Sequence, residues 1–286
     1  MMTKRFKPCS SWASNPKELL MQDSSPLKTC ISALDEVFDG GCRNEMIVVA
    51  GMPGFGKTDL AINLAIAFLL QNRPVFYLSV ELSREQILRR SLCTLANRID
   101  VSIEANEKSI LQLFETTPSN KLLNDAYKLI SSKYIIIDES FNQGEPIPPH
   151  TVEEIKYSLQ KWQAEQESTP CLVVDYIQQL YLGDYQGTTT TALDRVSKEL
   201  AKIAHIEHTP VVVLSSLSKT DEIRGSSQIE HDADKLIIIK PLDGVTREEM
   251  LSSDIRSVKL MIKKNRTGKA GIAIEAIYHP DQHLFI

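Results

Sequence analysis

The stretch Gly51-Met52-Pro53-Gly54-Phe55-Gly56-Lys57-Thr58 constrains this chain more than any other. It fits G-x-x-x-x-G-K-[ST] at every fixed position. Residues 46–50 before it form an apolar run of strand type, and residues 59–70 after it form an apolar run with no Gly or Pro. Strand, glycine-rich loop and helix are the context this motif needs. The glycines let the backbone turn tightly and aim its N–H groups at phosphate oxygens. The helix N-terminus adds partial positive charge. Lys57 is placed to reach the β- and γ-phosphates, and the Thr58 hydroxyl is a ligand for Mg²⁺. A chance glycine-rich turn would not bring the strand and the helix with it. Nucleotide-binding candidates are therefore Gly51, Met52, Pro53, Gly54, Phe55, Gly56, Lys57, Thr58 and Asp59.

Around this centre the chain alternates strand and helix signals. Residues 1–28 are polar and rich in Ser, Pro and Lys, and read as an arm with one short linker-type helix at 14–20. Residues 29–286 read as one domain. The run 75–81 is a strand ending in Glu81, and Ser83-Arg84-Glu85-Gln86 is a capping box opening a helix with Leu88, Leu92, Leu95 and Ile99 on one face. Strands follow at 134–138, at 171–175 (ending in Asp175), at 211–214 and at 236–239. Residues 183–191 read as a Thr-rich loop. The runs 257–264 and 271–278 alternate about a turn at 265–269, which predicts a C-terminal β-hairpin. The fold class is α/β, with a mainly parallel sheet flanked by helices on both faces. The ligand then belongs at the C-terminal strand edges, where residues 51–58, Glu81, Asp175 and Ser215 fall.

Asp175 at the end of an apolar strand fits a Mg²⁺-supporting carboxylate, with a helix cap or a surface carboxylate as the alternative. Glu81 fits a base that orients or deprotonates the attacking water, or else a solvated strand-end Glu. Lys263, Lys264, Arg266 and Lys269 crowd the hairpin turn. They read either as a solvated basic turn or as a finger reaching a neighbouring protomer's phosphates. Net charge is −5, so any nucleic-acid contact must come from a local patch or a ring of copies. Lys219 and Arg224 are the local candidates, although Arg224 could simply pair with Asp221 or Glu222. Five scattered Cys without C-x-x-C argue for reduced thiols and a cytoplasmic protein. The basic N-terminus lacks the apolar segment of a secretory signal, and no stretch reaches transmembrane length, so no membrane role is expected.

Six ordered blocks carry a resemblance. They are the phosphate loop, S-V-E-L-S-R-E-Q-I-L-R-R, V-V-D-Y-I-Q, T-P-V-V-V-L-S-S-L-S-K, I-R-G-S-S-Q-I-E-H-D-A-D and I-K-K-N-R-T-G. From about residue 29 to the C-terminus the chain resembles the C-terminal ATPase domain of DnaB-type replicative helicases, with a RecA-like P-loop NTPase core. The resemblance implies a hexameric ring that hydrolyses ATP with Mg²⁺ between protomers, moves on single-stranded DNA and unwinds duplex. A loader and other replication proteins are implied as partners. It implies Glu81 as catalytic base, Arg90 on the nucleotide base, Asp175 on Mg²⁺, Lys264 and Arg266 as the finger pair, and Arg224 in the DNA-contacting loop. Three departures stand out. The family's N-terminal collar domain is missing from the pattern. Ser215-Ser216-Leu217 replaces S-Q-L, whose Gln senses the γ-phosphate. The segment 219–224 is shorter than usual, and Ser227 replaces a loop Gly. Two further readings are an ATPase that binds or regulates DNA or replication partners without unwinding, and a structural protein that assembles on nucleotide and hydrolyses it poorly.

Overall fold

The computed structural model describes residues 25–117, 120–138, 151–166, 168–180, 188–218 and 222–286. The short helix expected at 14–20, the Pro-containing segment 139–150 and Lys219 lie outside the described residues, as does most of the Thr-rich stretch. That stretch is shorter than expected. A helix already begins at Thr189, because the Thr188 hydroxyl accepts the Thr191 N–H and caps it.

Among the described residues, nine strands form a single sheet in the order β3-β2-β4-β5-β1-β6-β7-β8-β9. They are β1 (Met46–Gly51), β2 (Val75–Ser79), β3 (Tyr134–Asp138), β4 (Cys171–Asp175), β5 (Val211–Ser216), β6 (Lys235–Pro241), β7 (Arg256–Asn265), β8 (Ile272–His279) and β9 (Leu284–Phe285). The first six in that order pair in parallel, and β7, β8 and β9 add on antiparallel. β1, β2 and β4 are buried along their whole length. Strands covered on both faces need apolar residues at every position, which is why they read as continuous hydrophobic runs. β7 instead alternates buried and more exposed positions, as an antiparallel strand with one wet face does.

Alternate residues of β1 feed two cores. Ile47 and Val49 face α2 (Lys57–Leu70) and α3 (Arg84–Ile99), while Met46, Val48 and Ala50 face α6 (Val152–Gln166) and α7 (Thr189–Ile206). α1 (Ser32–Val37), α4 (Glu107–Thr116) and α5 (Lys121–Lys133) extend the first layer. Short helices α8 (Gln228–Asp232) and α9 (Arg247–Ser252) flank β6. α2 is buried from Asp59 to Leu69, all around its circumference. Each fully buried Leu or Ile there contributes about 1.5–3 kcal/mol relative to exposure. The helix that begins at the glycine-rich loop is therefore held in place by the core.

Two expectations are corrected. In α3, Ile87, Leu92 and Leu95 are buried, but Leu88 is half-buried and Ile99 is 50% exposed. The helix packs against α2 on one side and α4 and α5 on another, so its buried surface is wider than one stripe and ends before the last residue. β2 stops at Ser79, two residues before Glu81, because the Ser79 hydroxyl donates to the Leu82 carbonyl (2.6 Å) and accepts its N–H (3.1 Å), turning the chain. Leu27 pairs with Cys42, N–H to carbonyl in both directions, within the last residues of the expected arm. Among the described residues, no helix is long and apolar enough to cross a membrane.

Candidate nucleotide site and its flanking loops

β1 and β5 end side by side, with Gly51 opposite Ser216, and the chain leaves β1 through the glycine-rich loop. Gly54 and Gly56 both have φ of 85°. Gly56 is also the left-handed cap of α2, and a Cβ there would lie 2.8 Å from the Tyr278 ring. Backbone strain and the close ring both require glycine at this position. Two arginines hold the loop from outside. Arg256 Nη1 donates to the Gly54 carbonyl (2.9 Å), and Arg247 Nη2 donates to the Pro53 carbonyl (3.4 Å).

Above the strand ends is a cavity of about 300 Å³, lined by Pro53, Gly54, Gly56, Lys57, Thr58, Asp59, Glu81, Arg90, Asp175, Tyr176, Ser216 and Tyr278. Lys57 Nζ donates to the Met52 carbonyl at 3.2 Å. Burial lowers its pKa, while Asp175 and Glu81 pull it the other way. Asp175 is 2% exposed, accepts the Tyr77 hydroxyl at 3.1 Å and is hydrogen-bonded to Thr58. Burial pushes its carboxyl up to about 6 despite those bonds. Glu81 is exposed at the cavity wall, and its loop is tied down where the Val80 N–H donates to the Asp175 carbonyl (2.8 Å).

Asp59 lines the cavity but is itself buried and bonded inward. It accepts Arg90 Nη1 at 3.0 Å and the Tyr278 hydroxyl, and lies 3.1 Å from His283 Nδ1. Burial opposes its ionisation, but His283, Arg90 and Tyr278 outweigh that and hold its pKa low. Burial also opposes the Arg90 cation, and Asp59 reverses the balance and raises its pKa. Arg90 thus reaches the cavity edge already anchored by Asp59. Met52 and Phe55 contribute backbone to the loop while their side chains pack into the core. Ser215 is fully buried and does not line the cavity, whereas its neighbour Ser216 does.

Lys264 and Arg266 lie elsewhere. Lys264 Nζ donates to the carbonyls of Glu230 (2.9 Å) and His231 (2.6 Å), and Arg266 Nη2 donates to the His231 carbonyl (2.9 Å). Arg266 Nη1 lies 3.2 Å from Asp234 Oδ1. The pair caps the carbonyl end of α8, where helix carbonyls favour cations. Arg224 is exposed on the loop after β5, and among the described residues its guanidinium has no ion-pair partner, Glu222 included.

Tyr278, Arg256, Arg247 and Tyr77 also belong to this site and fall in none of the six blocks, whereas Ser79 opens one of them. Tyr278 and Arg256 sit on a hairpin more than 200 residues from the loop they support, by which point local patterning gives no signal. Ser79 was the detectable one, since a Ser just before the carboxylate that ends an apolar run favours a turn.

A family model described as the DnaB-like helicase C terminal domain matches residues 26–285. The chain is 27% identical over 257 residues to the replicative DNA helicase DnaB of Pasteurella multocida, covering 86% of this chain and 52% of that protein. It is 27% identical over 262 residues to the replicative DNA helicase DnaC of Bacillus subtilis, covering 87% and 54%. It therefore spans about half the length of the curated relatives it matches. Among solved structures, the ATPase domain of G40P superposes with a TM-score of 0.77 at 20% identity, over 99% of both chains. A DnaB-like replicative helicase, described with its interactions with primase, gives 0.71 at 19% identity over 99% of this chain and 67% of that one. These two likenesses bear on the fold.

Proposed function

The chain belongs to the DnaB-like helicase C-terminal domain family, and from that premise we propose that it is the ATP-hydrolysing motor of a ring that moves on single-stranded DNA and unwinds duplex. The observation that carries this reading is the cavity where Lys57, Thr58, Glu81 and Asp175 meet from three strand ends. Backbone N–H groups of the loop and Lys57 hold the phosphates, and Lys57 must exchange the Met52 carbonyl for them. Thr58 and Asp175 fit Mg²⁺, a hard cation that takes oxygen ligands. They are already hydrogen-bonded together, and a carboxylate buried this deeply gains most from a cation beside it. Bound there, Mg²⁺ would neutralise charge on the phosphate oxygens. Glu81 orients the attacking water and accepts its proton. Arg90 contacts the nucleotide base from its Asp59 anchor.

Lys264 and Arg266 serve the next protomer's site, so the working unit is a head-to-tail ring, most simply a hexamer. Arg224 and Lys219, repeated around the ring, grip the DNA backbone. Loader and replication proteins act with the ring. The 29–286 unit is the motor, with residues 1–28 as its arm. The reading places the protein in the cytoplasm.

Ser216 at the cavity wall, where the family pattern has Gln, favours a second reading in which ATP turnover is not converted into unwinding. ATPase rates with and without single-stranded DNA, beside unwinding of a forked substrate, separate the two. DNA-stimulated turnover with strand separation supports the motor. Stimulated turnover without separation supports the second reading. Turnover indifferent to DNA removes the motor and leaves the second reading.

A further inference from the structure

We propose that Gln178 is a positioning residue that couples the nucleotide cavity to the loop carrying Arg224. Gln178 lies in the short turn Ile177–Gln179, three residues after Asp175. Its Nε2 donates to Ser215 Oγ on β5 (2.8 Å) and to the Arg224 carbonyl on the loop (2.9 Å). The Arg224 N–H in turn donates to the carbonyl of Ser216 (2.9 Å), which lines the cavity. Both backbone groups of Arg224 are therefore bonded to cavity-side elements, one through β5 and the other through Gln178.

The chemistry needs an amide. One nitrogen must donate to two acceptors on different elements, and the Arg224 carbonyl can only accept. Glu has no donor to offer, and Ala or Leu has no polar group at all. The same bonds fix which way the amide points, and this leaves Oε1 buried with no donor among the described residues. A buried oxygen without a donor is unfavourable, so the two donor bonds must outweigh it to hold the amide this way round. The far side of the loop is fixed independently. Ser226 Oγ bonds Asp194 on α7, and Leu193 of α7 packs on Gly225. Movement at the ends of β4 and β5 thus falls on residues 222–224. Coupling of this kind is reciprocal, so what nucleotide does to Arg224, a ligand on Arg224 does to the nucleotide site.

The inference rests on the ATP reading of the cavity, and its test does not require DNA. Hydrogen exchange is followed in peptides spanning 222–227, with and without Mg²⁺ and a non-hydrolysable ATP analogue, in the parent, Gln178→Ala and Gln178→Glu. In the parent, nucleotide should slow exchange in this segment about tenfold. Both variants should lose that response, while basal turnover and the KM for ATP stay within about threefold of the parent. Gln178→Glu keeps the shape and removes the donor, so its failure would exclude a packing effect. If Gln178→Ala responds to nucleotide as the parent does, or if the parent segment does not respond on binding nucleotide, the coupling is overturned. If the segment responds through Gln178 but turnover ignores single-stranded DNA, the coupling stands and the DNA reading falls.

Discussion

Inside the nucleotide cavity, Lys57 and Asp175 are half-buried or buried, and neighbours on adjoining elements already hold them. At the hairpin tip, Arg266 is 46% exposed and Lys264 half-buried, and both rest on the carbonyl end of a five-residue helix. The cavity side chains converge on one enclosed volume. Among the described residues, the hairpin pair meets the helix end and Asp234. One part of the molecule is preorganised by its own fold, while the other holds its cations on a helix end, where we propose that a second chain uses them. Preorganised groups cost little reorganisation when charge develops. On that proposal a finger leaving α8 would bear such a cost on assembly, so its use would be conditional on a neighbour.

Removing the hairpin cation should have the largest effect. Arg266→Ala should lower turnover about 10³-fold or more if the guanidinium stabilises transition-state charge, while an isolated protomer keeps its nucleotide affinity. Steady-state ATPase beside equilibrium nucleotide binding measures both. A small loss of turnover would return Arg266 to a cap on α8.

Within the cavity, Glu81→Gln should reduce turnover about 10²–10⁴-fold and leave ATP binding intact, because it removes a base and spares the phosphate cradle. Hydrolysis at the parent rate would make Glu81 a solvated loop carboxylate.

The smallest effect is expected on the exposed loop. Arg224→Ala should weaken single-stranded DNA binding while basal ATPase survives, and should flatten the salt dependence by about 0.7 per lost phosphate contact. No aromatic lies between 218 and 227, so sequence preference should be weak. Anisotropy across a salt series is the check, and superimposed curves would mean that Arg224 touches no phosphate.

What the sequence revealed follows the same division. The glycine-rich loop, β1 and β4 were legible because each is specified within a dozen residues, by phosphate-loop geometry or by an unbroken apolar run, and the C-terminal hairpin because two alternating runs flank one turn. Glu81 was legible as a residue but misplaced at a strand end, since the Ser79 hydroxyl ends β2 early. The buried face of α3 was drawn too narrow, because three helices meet it and only one stripe was visible in the periodicity. The anchoring of Asp59 by Tyr278 and His283, more than 200 residues away, was not legible at all. Such contacts arise from the sheet order and not from local pattern.

In the proposed ring, one protomer's cavity is completed by another's hairpin. Mixing Lys57→Ala subunits, which lack the phosphate lysine, with Arg266→Ala subunits, which lack the finger, tests it most directly. Each variant alone should be inactive. Titrating one against the other should restore turnover, because an Arg266→Ala cavity then meets an intact finger from its Lys57→Ala neighbour. Mixtures that form rings and stay inactive at every ratio would contradict a shared site.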